Sequence, residues 1–291
     1  MMKLKTTFDL MLMIVLMFLM ACGDTPIDQT QAQQAPNPVR NIAGQVISMD
    51  SLNAYLDTTM KAYQITGSAV AIVNDGAVVY HHTHGYADIG ENKPVTEQTI
   101  FEGASISKSV FASMVMLMVE EGKLDLDRPL HEYLDQHYYG IDEKDDRYEK
   151  ITARHVLSHT TGFPNWRETD DLPIAFEPGS AFSYSGEGFI FLERVLMHLL
   201  KIDYVGLESY FQSTIGKKLG LQWTKFVQDD FNRTHKARPY QQTNPLNINP
   251  WEGKEFNSAS AIHSEALEFS KWMIALMGND LLSEKAIGQL F

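Results

Sequence analysis

"TIFEGASISKSVFASMVMLMVEEGKL", Thr99 to Leu124, is a helix that is apolar on nearly every side and starts in a cluster of hydroxyls and a lysine. Its first residues read Ser105-Ile106-Ser107-Lys108-Ser109. A cation at that end opposes the helix dipole, which favours anions there. Burying the charge also costs desolvation energy unless something uses it. The methionines between residues 114 and 118 are flexible core filler, not a cofactor box.

Ser105 and Lys108 are three residues apart, hence one turn apart on one helix face. A serine hydroxyl is a weak nucleophile until a neighbouring base takes its proton, and a lysine held neutral by its surroundings can be that base. Backbone N–H groups at the helix start offer half of an oxyanion hole. Serine and lysine are common, so a lone Ser-x-x-Lys is weak evidence, and its context decides.

The first residues form a secretory leader. Lys3 and Lys5 precede an apolar run from Met11 to Met20 that is too short to span a bilayer as a mature helix. The run ends Leu19-Met20-Ala21-Cys22-Gly23, which resembles a bacterial lipoprotein signal with Cys22 as the lipidated first residue. Cys22 is the sole cysteine, so no intramolecular disulfide forms. The following stretch is rich in Gln, Pro, Asn and Thr and has little to bury, which reads as a disordered tether. The expected organisation is a leader over 1–21, a disordered tether over 22–45 and one large domain over 46–291. The net charge of −13 argues against nucleic acid and anionic headgroups as partners.

Spacing predicts an amphipathic helix over Val46–Ile65. Two β-branched runs joined at Asn74-Asp75-Gly76 predict a hairpin. Beyond the Thr99–Leu124 segment the chain turns helical. A Gly stop and a Pro start shape "GKLDLDRPLHEYL", and Thr152 caps a short helix over Ile151–Ser158. A long helix follows Tyr184, with others expected near Leu207–Leu219 and His263–Met277. A two-stranded hairpin is marginal alone and needs further strands.

Four segments, in order, resemble one superfamily: the serine β-lactamases and penicillin-binding proteins, in their class C and D-alanyl-D-alanine carboxypeptidase branch. "TIFEGASISKS" resembles the start of the nucleophile helix, and "EEGKLDLDRPLHEYL" the segment after it. "ITARHVLSHTTGFPNW" is similar to the His-Thr-Ser-Gly loop, and "FEPGSAFSYSGEGFIFLERVL" to the second catalytic motif. The resemblance implies an α+β fold, an antiparallel sheet flanked by helices plus a mostly helical lobe. It implies Ser105 as the acylated nucleophile, with Lys108 and Tyr184 as its proton partners. It implies neither cofactor nor metal.

Two departures mark this chain. The second motif's asparagine, which hydrogen-bonds a substrate amide, is Gly186 here, which favours esters or unorthodox amides; Ser185 is a candidate substitute. The third motif, Lys-Thr-Gly or His-x-Gly, has no match after Tyr184, and the family's closing strands and helix would follow Phe291. His159-Thr160-Thr161-Gly162 precedes Tyr184 and reads as a structural loop. Gly103-Ala104-Ser105-Ile106-Ser107 approaches the nucleophile elbow of α/β-hydrolases, but Ser107 replaces its final glycine. His82 and His84 share a strand face without an evident third metal ligand.

The expectation is a β-lactamase-related serine hydrolase acting through an acyl-enzyme on an ester, a D-amino-acid peptide or a β-lactam-like molecule. Its substrate would be small or peptidoglycan-like. Cys22 would anchor it in the bacterial cell envelope, at the inner or outer membrane, facing the periplasm or the surface. The rival is a degenerate relative serving as a binding module or a non-functional fragment.

Overall fold

The structure is a computed structural model that describes residues 38–246 and 253–290. The leader, Cys22 and the tether up to Asn37 lie outside the described residues.

Helix α1 (Met49–Tyr63) starts where the Ser48 hydroxyl accepts from the Ser51 N–H, at 3.1 Å. It ends at Gln64 in the left-handed conformation, φ 53°. Strands β1 (Gly67–Asn74) and β2 (Ala77–Asp88) follow, joined by Asp75 and Gly76. Both turn residues have positive φ, 51° and 73°, as the tight hairpin turn demands. A short β3 (Lys93–Pro94) extends the antiparallel sheet in the order β1-β2-β3.

Ile47, Leu52 and Leu56 pack with Val70, Ile72, Val79 and Tyr80 between α1 and the hairpin. Val39 joins that cluster with 2% exposure. Here the expected tether needs correction, because its last residues, 38–45, are part of the fold. Arg40 donates its backbone N–H to Asn74 Oδ1 at 2.8 Å, and Ile47 donates its own to Val39 O. One valine with a pocket to fill, plus a shared ladder, outweighs the polar composition around it.

Strand β4 (Phe101–Ala104) feeds α2 (Ser107–Glu120), the buried helix of the opening stretch. Phe111, Met114, Val115, Met116 and Met118 have no solvent exposure. Each such side chain contributes about 1.5–3 kcal/mol of transfer free energy. Gly122, at φ 67°, ends the run. The segment after Pro129 forms a 3-10 turn over Leu130–Tyr133. Helix α3 (Ala153–Leu157) is capped by Thr152, whose hydroxyl accepts from the His155 N–H.

Helix α4 (Gly186–Leu200) packs against α2 through Phe189, which meets Phe111 at 6.2 Å between ring centres. Helix α5 (Tyr204–Phe211) runs through a wide turn over Gln212–Gly216 into α6 (Lys217–Leu219). Helix α7 (Asp230–His235) and a small hairpin, β5 (Tyr240–Gln241) with β6 (Asn244–Pro245), come next. Strand β7 (Ile262–Ser264) pairs antiparallel with β4. Helices α8 (Ala266–Met277) and α9 (Glu284–Leu290) complete the described chain. The helix expected from His263 therefore starts later: His263 and Ser264 are strand, and the Glu265 side chain caps α8.

Buried carboxylates tie the long connections to helices. Glu208 of α5 accepts the N–H groups of Phe226 and Val227. Glu268 of α8 accepts those of Trp223 and Thr224. Glu193 of α4 accepts that of Ser258 at 2.6 Å. Among the described residues no helix is long and apolar enough to cross a membrane.

Candidate active site

Ser105 sits at the corner between β4 and α2, exposed to solvent. The corner is tight: Ala104 adopts φ 43°, a left-handed conformation unusual for a residue with a side chain. Ser107 holds it there. Its hydroxyl donates to Ala104 O and accepts from the Ile262 N–H of β7 at 2.9 Å. Gly103 permits the close approach, since a Cβ at that position would lie 2.6 Å from Ile262 Cγ2.

Lys108 is 5% exposed. Its Nζ donates to Ser105 Oγ at 3.3 Å and to Ala259 O at 2.8 Å. Three aromatic rings surround the same nitrogen, with centres at 4.8 Å for Tyr184, 5.7 Å for Phe189 and 5.9 Å for Trp166. Among the described residues no carboxylate forms an ion pair with it. The lysine at the start of α2 is thus placed against the serine hydroxyl, beside one carbonyl and three rings.

Tyr184 ends the extended piece before α4 and is partly exposed. Burial pushes its phenol pKa up, but polar contacts with Lys108 and Ser105, and the Lys108 charge, bring it below the ordinary value. His159 supports it from behind, with ring centres 4.4 Å apart. Burial, then the Lys108 charge, depress the His159 pKa, and its Nδ1 accepts the Ser185 N–H at 3.0 Å. His159 itself adopts φ 56°. This loop, His159 to Gly162, packs against the tyrosine through the His159 ring, and among the described residues no hydrogen bond joins it to the serine hydroxyl.

The structure corrects one candidate. Ser185, offered as a substitute for the missing asparagine, is 1% exposed and fully engaged. Its hydroxyl donates to Pro164 O at 2.8 Å and caps α4 by accepting from the Gly188 N–H at 2.9 Å. A cap with both functions used cannot also read a substrate.

Residues invisible to motif reading complete the site. Ala259 offers a carbonyl, and the Glu193 carboxylate holds its segment through Ser258. No motif announces either, because the partners are 65 and 151 residues apart. On the hairpin, His82 and His84 do share a face, with ring centres 4.5 Å apart, while His81 turns to Glu265 at 3.6 Å. Among the described residues no three His, Cys, Asp or Glu side chains are placed to hold a metal ion.

An α+β frame with a serine at a strand–helix corner, and a lysine and a tyrosine beside it, defines the β-lactamase/transpeptidase-like class. The chain belongs to the Beta-lactamase family, whose model matches residues 52–291. Among relatives, it is 26% identical to "Penicillin-binding protein 4*" of Bacillus subtilis, over 60% of this chain and 41% of that protein. It is 23% identical to "Esterase EstB" of Burkholderia gladioli, over 75% of this chain and 61% of that protein. The chain thus spans less than two thirds of the length of these relatives.

Two solved structures share the fold. One is an octameric penicillin-binding protein homologue from Pyrococcus abyssi, with TM-score 0.71 and 23% identity. It aligns over 83% of this chain and 59% of its own. The other is the D-alanine carboxypeptidase AmpC from Burkholderia cenocepacia, with TM-score 0.68 and 21% identity. It aligns over 83% of this chain and 67% of its own.

Proposed function

We propose that this chain is a serine hydrolase that cleaves carboxylic esters through an acyl-enzyme on Ser105. The observation that carries the reading is the 3.3 Å hydrogen bond between Lys108 Nζ and Ser105 Oγ, with the Tyr184 phenol beside both. The Ser105 proton passes to this pair as Oγ bonds to the substrate carbonyl carbon. The carbonyl electron pair moves to oxygen, which the backbone N–H at the helix start stabilises. Collapse of the intermediate breaks the bond to the alcohol oxygen, which takes the proton back from Tyr184 and Lys108. Water then attacks the acyl-Ser105 carbonyl carbon, its proton following the same route. The acid leaves and Ser105 regains its hydrogen.

Esters fit better than peptides because position 186 supplies no side-chain amide to pair with a substrate amide, and a buried amide left unpaired costs affinity. The test is covalent labelling by a fluorophosphonate together with turnover of p-nitrophenyl acetate. Ser105→Ala should abolish the first and reduce the second to background. Labelling elsewhere in the variant, or equal rates in the two proteins, would favour the binding-module reading. The sequence resemblance at Leu19–Gly23 also supports a lipid anchor on Cys22 that holds the domain in the cell envelope.

A further inference from the structure

The side chain missing at position 186 leaves no gap. A Cβ on Gly186 would stand 2.8 Å from Asn165 O, 2.9 Å from Trp166 Cη2 and 3.0 Å from Trp166 Cζ3. The six-membered edge of the indole already lies on that Cα, so a side chain there would have to displace both Trp166 and the Asn165 carbonyl. The glycine and the tryptophan are two halves of one arrangement.

The indole is also fastened on both sides. Gly186 donates its N–H to Asn165 O at 2.9 Å and to Asn165 Oδ1 at 3.1 Å, and Glu187 donates its own to Asn165 O. Arg167 donates its backbone N–H to Glu187 Oε1 at 3.1 Å and its guanidinium to Oε2 at 2.9 and 2.7 Å. That ion pair is largely shielded from water, so its geometry is kept. Both neighbours of Trp166 are therefore tied to the first turn of α4, and the ring is preorganised.

Even so, Trp166 remains 45% exposed, with its centre 5.9 Å from Lys108 Nζ. The same Nζ lies 4.8 Å from the Tyr184 ring centre and 3.3 Å from Ser105 Oγ, and both of those residues are exposed as well. The geometry points to a stacking subsite: Trp166, seated on Gly186, selects esters that carry an aromatic or flat apolar group on the acyl or the alcohol side. This rests on the hydrolase reading above and names its substrate class. A rigid indole face rewards a planar ring through dispersion and quadrupole alignment, whereas a methyl group covers little of it. Lys108 Nζ, bonded to Ser105 Oγ at 3.3 Å, stands 5.9 Å from the indole centre, which brings a group attached to a carbonyl under attack at Ser105 within range of that face.

Matched substrates test this. On the acyl side, p-nitrophenyl phenylacetate is compared with p-nitrophenyl acetate; on the alcohol side, benzyl acetate is compared with ethyl acetate. The aromatic member should be preferred in kcat/KM in one pair. Trp166→Ala should lower that preference roughly tenfold, while Trp166→Phe should keep it within about threefold. Gly186→Asn should lower it as Trp166→Ala does, and the double variant should fall no further, since both changes remove the same face. A ratio unaffected by Trp166→Ala, or both rates falling in parallel, overturns the proposal.

A readout without turnover separates this idea from the hydrolase reading. In Ser105→Ala, saturation-transfer NMR should report the ring protons of methyl phenylacetate, and Ser105→Ala/Trp166→Ala should lose the signal. Signal lost in the double variant supports the subsite even where no ester is cleaved. Equal signals in the two proteins sink it.

Discussion

Glu193→Gln should make the protein more stable above neutral pH and leave the acid side nearly unchanged. Burial lifts the Glu193 carboxyl from 4.5 to about 7, against hydrogen bonds from Ser258 that pull it down. Below pH 4.5 both folded and unfolded chains hold the proton. Between 4.5 and about 7 the unfolded chain releases it while the folded one keeps it, so stability falls as pH rises through that window. The loss is complete above about pH 7, and the interval corresponds to roughly 3 kcal/mol.

Glutamine retains an acceptor for the Ser258 N–H and does not titrate. Any cost of refitting its NH2 group is a constant offset, so the pH dependence is the readout. His263 adds an internal control. Burial lowers its pKa from 6.5 to about 4, so its contribution is lost as pH falls through that range. The two groups oppose each other between about 4.5 and 6.5. Other shifted groups contribute equally to both proteins, so the difference in urea-unfolding free energy, variant minus wild type, should grow from pH 4.5 to about 7 and level off above it. A difference between the two proteins that does not change from pH 4.5 to 8.5 would refute the argument.

Ser107→Ala removes the hydroxyl that pins the Ala104–Ser105 corner and leaves the buried Ile262 N–H without its acceptor. A loss of about 1–3 kcal/mol in unfolding free energy is expected, with a larger drop in kcat than in KM for any ester turned over. An unchanged kcat would mean that the Ala104 conformation holds without it. For the anchor, metabolic labelling with a radioactive fatty acid should mark the full-length protein. Cys22→Ala should lose the label and leave the membrane fraction; a variant that stays labelled refutes the lipid assignment.

Much of the frame is written locally. The hairpin follows from Asn74-Asp75-Gly76, because only a turn with two positive-φ residues fits right-handed strand twist, and the structure has both. Thr152 caps its helix, and Gly122 ends α2, for reasons contained in a few neighbouring residues. The pairing of Ser105 with Lys108 is likewise legible, since helical periodicity sets i and i+3 on one face. Local signals misled where partners were distant. Val39 lies in a polar stretch, yet the α1–hairpin groove buries it; His263 and Ser264 look helical, yet β4 pairs with them.

The sequence by itself set Ser105 and Lys108 one turn apart through their spacing, and its resemblance to a known family pointed to Tyr184 and to the α+β class. Tertiary structure alone decided what surrounds them. It brought Ala259 onto Lys108 across 151 residues and used up the Ser185 hydroxyl in a cap. It also laid Trp166 on the bare Cα of Gly186. Contacts between segments far apart in the chain have no periodicity to betray them, since they are set by which faces the core forces together.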